Sequence, residues 1–267
     1  MKIGNFMRAA VAVVAIGFAG LGAIGEAKAT SLNDIISRGK VRIGVLTGAP
    51  PMGMVDEKGN PSGYDVDVAN LLAGYLALPV ELVPLTPPAR IPALQTGKVD
   101  FLVATLAPTG ERAKTVMFTQ PYSAFNMDII SGPDQKFTKL SDLQGKRVAV
   151  NRGSSQETAL RKANVPGLEV VVFEDDSTSA QAVIAGQTDA VALPSTVGEA
   201  IIKQRPDAKL QVGFTFFQQG NSMATKIDDF ELRQWLNTSI YLMKISGDLD
   251  RIAVKWTGRP MPVLPTF

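Results

Sequence analysis

Ile91-Pro-Ala-Leu-Gln-Thr-Gly-Lys-Val-Asp100, followed directly by Phe101-Leu-Val-Ala104, is the stretch on which the fold turns. Residues 89–96 read as a short helix and 97–100 as a turn. Residues 101–104 form an apolar run of the kind that makes a fully buried strand. Further along, Ala185-Gly-Gln-Thr-Asp189 precedes Ala190-Val-Ala-Leu193 in the same order. Gly–Asp turns are common, so the echo has modest weight, but it points to two lobes built on one plan.

Outward from the first copy, 41–46 and 80–83 read as strands. Residues 65–76 read as a helix with Val66, Ala69, Leu72, Ala73 and Leu76 on one face. Thr109 opens a further helix through Val116. Around the second copy, strands at 147–150, 169–173, 190–193 and 210–212 alternate with helices at 154–162, 177–185 and 194–204. The first of these helices carries Ser154-x-x-Glu157, a capping box. Helices at 229–246 and 250–256 follow, and the Pro-rich tail from Gly258 packs as an extended strap. This alternation predicts an α/β architecture with right-handed crossovers.

Composition excludes whole classes of chemistry. The 267 residues include no Cys and no His. There is therefore no disulfide, thiol nucleophile, thiolate or imidazole metal site, and no Ser-His-Asp triad. No phosphate-binding glycine loop is present, so no cofactor and no metal are expected. Glu174-Asp175-Asp176 reads as a solvated loop, and Asp228-Asp229 as a helix-start charge pair. Lys2 and Arg8, an uncharged stretch from Ala9 to Ile24, and Ala27-Lys28-Ala29 together read as a cleavable export signal over 1–29. The 27 basic residues exceed the 25 acidic ones by two, but Lys2, Arg8 and Lys28 against Glu26 lie in that signal. The remaining 24 of each sign cancel, and no basic run argues for nucleic acid.

Five collinear motifs carry a resemblance. They are Gly63-Tyr-Asp-Val-Asp-Val-Ala69, Ile91 to Asp100, Thr109-Gly-Glu-Arg112-Ala-Lys, Phe118-Thr-Gln-Pro-Tyr122 and Lys255-Trp-Thr-Gly258. Together they resemble the family 3 solute-binding proteins, periplasmic receptors of polar amino acid ABC transporters. The resemblance implies a two-lobe type II Venus-flytrap fold. Lobe 1 is 30–126 plus 222–267, lobe 2 is 127–221, and the crossings lie near 127–131 and 221–225. It implies a periplasmic monomer whose partners are a small anionic ligand and a permease with its ATPase.

The same resemblance assigns candidate ligand-binding residues. Arg112, one turn into the helix opened by Thr109, is the α-carboxylate ligand, since a guanidinium binds carboxylate through two parallel bonds. A solvated surface arginine is the plainer alternative. Ser154 and Ser155 open a helix whose N–H groups can close on that carboxylate, a role compatible with capping. Thr105 stands where the family places a hydroxyl, Met52 where it stacks a Phe, and Arg90 where acidic amino acid receptors meet the distal carboxylate. The alternative for Arg90 is an arginine snorkelling at a helix end. Against the family pattern, Leu46 and Pro194 replace the Asp residues that take the ligand ammonium, and Ala49 and Ala107 replace a Tyr and a hydroxyl.

The expected function is delivery of an acidic amino acid or related organic acid to an ABC importer, without catalysis. One alternative is an enzyme resembling cyclohexadienyl dehydratases, which needs a carboxyl in the cleft. Glu157 and Asp189 read more simply as a helix-start residue and a turn residue. Another is a sensor module, marked by a chain that continues into a transmembrane span.

Overall fold

In the computed structural model, which describes residues 32–262, the export signal at 1–29 lies outside the described residues. Helix α1 (Leu32–Arg38) leads into β1 (Val41–Leu46), a hairpin of β2 (Met54–Val55) and β3 (Pro61–Ser62), and α2 (Tyr64–Leu76). Next come β4 (Val80–Leu85), α3 (Arg90–Gln95) and β5 (Phe101–Leu106). β1 lies between β4 and β5 and parallel to both, with Val41 opposite Val80 and Ile43 opposite Phe101. Both faces of such a strand are covered, which is why β1 and β5 read as nearly continuous apolar runs.

β6 (Val116–Ser131) carries the chain away, and β7 (Arg147–Asn151), α4 (Ser155–Ala163), β8 (Glu169–Phe173), α5 (Asp176–Ile184) and β9 (Ala190–Pro194) repeat the plan. β7 lies between β8 and β9 and parallel to both. After α6 (Ser195–Gln204), β10 (Gln211–Lys226) returns. Helices α7 (Phe230–Ile245) and α8 (Asp248–Thr257) then pack Leu232, Leu236, Ile240 and Met243 into the core formed by β1, α2 and β5. Among the described residues no helix is long and apolar enough to cross a membrane.

The strand order β4-β1-β5-β10-β6-β9-β7-β8 is symmetric about its centre. β10 borders β5 through Ser222 and Ala224, and β6 borders β9 through 127–131. Residues 123–126 and 218–221 pair only with each other among the described residues. These two segments link the two halves of the sheet. The resemblance places the crossings near 127–131 and 221–225, where 127–131 are also laddered to β9, and Ser222 and Ala224 to β5. The register slips between Asn221 and Ser222, opposite Pro121, whose missing N–H interrupts the ladder.

Three local expectations are corrected. The helix from Thr109 to Val116 is a turn with one short 3-10 segment, Arg112–Lys114, after which β6 begins. The short strand at 210–212 is the start of a 16-residue strand. Its Gly213, Gly220 and polar Gln218-Gln219 mask the strand pattern, and pairing with β6 along its length overrides that composition. The Ser154-x-x-Glu157 box is shifted. Ser154 Oγ accepts the Glu157 N–H at 3.1 Å, but the Glu157 carboxylate reaches back to the N–H of Gly153, at 2.8 Å.

Candidate functional site

On the lobe 1 side, the turn at Pro87–Ala89 delivers Arg90 as the first residue of α3. Arg90 is 4 % exposed, and three carbonyls aim its guanidinium. Nε donates to Pro87 at 2.9 Å, and Nη1 donates to Ala104 at 2.9 Å and Thr105 at 3.3 Å. Nη2 has no protein partner among the described residues. Burial first, then the Arg112 cation, pushes the Arg90 pKa down to about 9, so it remains charged at neutral pH.

Thr105 adopts φ +44°, a left-handed conformation costly for a β-branched residue. A buried network holds it there. The Thr105 N–H donates to Tyr122 Oη at 3.1 Å, and Tyr122 Oη donates to Asp65 Oδ1 at 2.7 Å. Asp65 is fully buried, its Oδ2 has no hydrogen bond, and burial raises its pKa to about 7.

Arg112 joins the lobes. Nη1 donates to the Ala107 carbonyl at 2.8 Å and Nη2 to the Gly153 carbonyl of lobe 2, also at 2.8 Å. A second contact closes the mouth, where the Ser177 N–H and Oγ donate to the Gly48 carbonyl at 3.1 and 3.3 Å.

On the lobe 2 side, Ser155 Oγ donates to Gln219, whose Nε2 donates to Asn221 at 2.7 Å. Asn221 donates in turn to Ser123 Oγ at 3.0 Å, so a polar chain ties the start of α4 to the segments that link the two halves of the sheet. The solvated-loop reading of Asp176 is corrected. Asp175 caps α5 through a reciprocal pair with Thr178, which turns Asp176 inward to 4 % exposure. Asp176 Oδ1 accepts from Asn151 Nδ2 at 2.8 Å and Gln156 Nε2 at 3.3 Å. Burial raises its pKa to about 7, against the pull of Arg90.

These walls close on a narrow cavity of about 20 Å³. Arg90, Thr105, Arg112, Ser154 and Ser155 line it together. Met52 does not. It is 1 % exposed in the apolar core with Tyr64 and Leu72, because the turn before the β2–β3 hairpin folds its side chain inward. Leu46, Ala107 and Pro194 line the cavity as apolar wall. The sequence reading missed Asp176, Asn151, Gln156 and Gln219. The Asp175-x-x-Thr178 capping pair is the signal that could have placed Asp176. A roomier hollow of about 320 Å³, lined by residues 124–126 and Gln218, has one charged lining residue among the described residues, Arg259, already paired with Glu199 at 2.7 Å. It lacks the convergent charges of the interlobe cavity.

Residues 41–259 match the family described as bacterial extracellular solute-binding proteins, family 3. The chain is 27% identical over 262 residues to the L-cystine-binding protein of Escherichia coli (strain K12), covering 97% of this chain and 98% of that one. Among solved structures, an ancestral arginine-binding protein bound to arginine matches with TM-score 0.78 and 34% identity, over 82% of this chain and 98% of that one. An ancestral amino acid-binding protein described as a precursor of cyclohexadienyl dehydratase matches with TM-score 0.78 and 32% identity, over 84% of this chain and 98% of that one. With the family match spanning both lobes and the hinge between them, the chain belongs to the bacterial extracellular solute-binding proteins of family 3.

Proposed function

We propose that this protein captures a small carboxylate-bearing solute, an acidic amino acid or related organic acid, and delivers it to an ABC permease and its ATPase. It does so after export to the periplasm, as a monomer. Lobe 1 is 30–126 with 222–267, and lobe 2 is 127–221. The observation that carries the reading is the pair of guanidinium groups, Arg90 and Arg112, on one cavity. Neither is ion-paired among the described residues, and both are bonded only to carbonyls. A desolvated cation without a counter-ion is unfavourable, and an anionic ligand supplies one. Arg112 takes one carboxylate together with the start of α4 at Ser154 and Ser155, and Arg90 takes the distal one. Since Arg112 and the Gly48–Ser177 contact both span the lobes, ligand binding and closure stabilise each other.

The test is calorimetric titration with L-glutamate, L-aspartate, succinate, L-glutamine, L-cystine and L-arginine. Arg90→Leu should weaken dicarboxylates by about 2 kcal/mol or more while changing monocarboxylates little. Equal losses refute the distal-charge role. A second reading has one specific observation behind it. Asp176 is a cleft carboxyl with a pKa near neutrality, as a dehydratase acid requires. Turnover of prephenate or arogenate, followed by absorbance, would establish it and displace the receptor reading.

A further inference from the structure

We propose that Asp65 and Tyr122 are positioning residues of the binding site. Through the Ala104–Thr105 peptide they set where Arg90 points and hold Thr105 in its left-handed conformation on the cavity wall. The inference rests on the carboxylate-binding reading above and adds to it two residues that stand behind that wall.

The stretches Gly63 to Ala69 and Phe118 to Tyr122 supply no residue to the cavity wall, yet they meet behind it. Tyr64, Asp65 and Tyr122 are all fully buried. The first turn of α2 grips Tyr122 at both ends. Tyr64 Oη donates to its carbonyl at 3.1 Å, and Asp65 Oδ1 accepts from its hydroxyl at 2.7 Å. A phenol has one proton, and burial keeps Tyr122 from losing it. With that proton given to Asp65, the oxygen's lone pairs are left to accept the Thr105 N–H, at 3.1 Å. That N–H and the Ala104 carbonyl are the two ends of one trans peptide, so they point in opposite directions in one plane. The Ala104 carbonyl accepts from Arg90 Nη1 at 2.9 Å. A single chain therefore runs from a buried carboxylate, through a phenol and a peptide, to a buried guanidinium, each bond polarising the next. Asp65 and Arg90 accordingly favour each other's charged forms.

Two features set this chain apart from ordinary core polar contacts. Thr105, β-branched at φ +44°, is strained, and such strain persists only where the surroundings impose it; the Tyr122 bond fixes its N–H. Asp65 Oδ2 has no hydrogen-bond partner among the described residues, so this carboxylate is poorly arranged for stability alone. Asp67, two residues on, provides the contrast. It is partly exposed, and its Oδ2 accepts from Lys255 at 2.6 Å and from Trp256 Nε1 at 2.7 Å, which clasps α2 to α8 away from the cavity.

The experiment is calorimetric titration of the intact protein with L-glutamate, L-glutamine, L-cystine and L-arginine, together with amide exchange of Thr105 followed by NMR. Tyr122→Phe should weaken the tightest of these probes roughly tenfold, and should speed exchange at Thr105 relative to Val103 by a similar factor. Asp65→Leu should do the same, whereas Asp65→Asn, which keeps an acceptor for the phenol, should stay within about threefold. Glycine takes positive φ without strain, so in a Thr105→Gly background Tyr122→Phe should cost less than about threefold. Asp67→Ala should lower stability in urea while leaving affinity and the relative exchange of Thr105 unchanged. Equal losses from Tyr122→Phe with and without Thr105→Gly overturn the inference, as does an unchanged affinity in Tyr122→Phe or a matching loss in Asp67→Ala. The expected pattern with glutamine or cystine as the tightest probe upholds the positioning role and refutes only the distal-charge role of Arg90. Should none of the four bind, the carboxylate reading falls, and Thr105 exchange decides the rest: faster exchange in Tyr122→Phe upholds the relay and unchanged exchange overturns it. If Tyr122→Phe does not fold, Asp65→Leu against Asp65→Asn carries the same comparison.

Discussion

The two Gly-x-x-Asp turns do the same job in the two lobes, to different depths. Gly97 and Gly186 both adopt φ +71°, the left-handed conformation that lets a helix end and the chain reverse into a strand. The Asp100 N–H donates to the Arg42 carbonyl and the Asp189 N–H to the Arg147 carbonyl, each at 2.8 Å. Each carboxylate answers by accepting the N–H of the same partner, again at 2.8 Å. In lobe 1 the clasp is sealed. The Asp100 side chain is 0 % exposed and ion-paired with both Arg38 and Arg42. In lobe 2 Asp189 keeps 23% exposure and meets one arginine, Arg147, at 3.6 Å. The same module can therefore be a buried keystone or a solvated clasp, depending on what packs over it. Lobe 1 has α1 to bring Arg38.

Breaking each clasp measures that difference. Asp100→Ala should cost about 3–5 kcal/mol in urea unfolding, because it leaves the backbone N–H of Arg42 and two half-buried guanidinium groups without their acceptor. Asp189→Ala should cost only about 1 kcal/mol, since solvent screens its pair. Equal losses would mean that the lobes are held alike.

The second contrast lies between the buried acids, Asp65 behind the lobe 1 wall and Asp176 on the lobe 2 wall. Both are raised from the ordinary 3.8 to about 7 by burial. Between pH 4 and 7 the folded protein holds a proton at each site that the unfolded chain has released. Stability from these groups is fully present below about pH 4, falls as pH rises to about 7, and is level above it. Asp65→Asn should remove its share of this slope. The stability of the unmodified protein relative to the variant then declines by about 2–4 kcal/mol from pH 4 to pH 8, read by thermal or urea unfolding. A flat difference would show that Asp65 stays ionised.

A third contrast concerns closure. A Cβ at Gly48 would lie 2.4 Å from Asp175 Oδ2 and 2.6 Å from its Cβ, and Asp175 is fixed as the cap of α5. Gly48→Ala should leave unfolding of the open protein unchanged but weaken every ligand about tenfold, near 1.4 kcal/mol, by obstructing the meeting of the lobes. Loss restricted to one ligand class would place Gly48 in recognition instead.

Much of the architecture was legible in the residues. Apolar runs at 41–46, 101–104 and 190–193 are strands covered on both faces, and each lobe repeats strand, helix and Gly–Asp turn in order. The 16-residue strands β6 and β10 were not legible. Their pairing partners are about 100 residues away, so their local composition, with Pro121, Gly213 and Gly220, says little about where they pair. At the site, motif positions led to Arg90, Thr105, Arg112, Ser154 and Ser155, which share one cavity. The same positional logic misplaced Met52, which belongs to the core. It also passed over Asp176, because an acidic triplet in a loop looks solvated until its cap turns one member inward.

By itself, then, the chain determined its chemistry and its plan. Without Cys or His it must bind through arginines, hydroxyls, amides and carboxylates, and its periodicity sets strands against helices, because those preferences are local. Only the tertiary structure decided which charges meet. Arg90 and Asp176 come from equivalent corners of the two halves of the sheet, and their shared cavity exists only where the paired segments 123–126 and 218–221 bring those halves together. Desolvation in that cavity, a property of packing and not of sequence, gives the two charges their force.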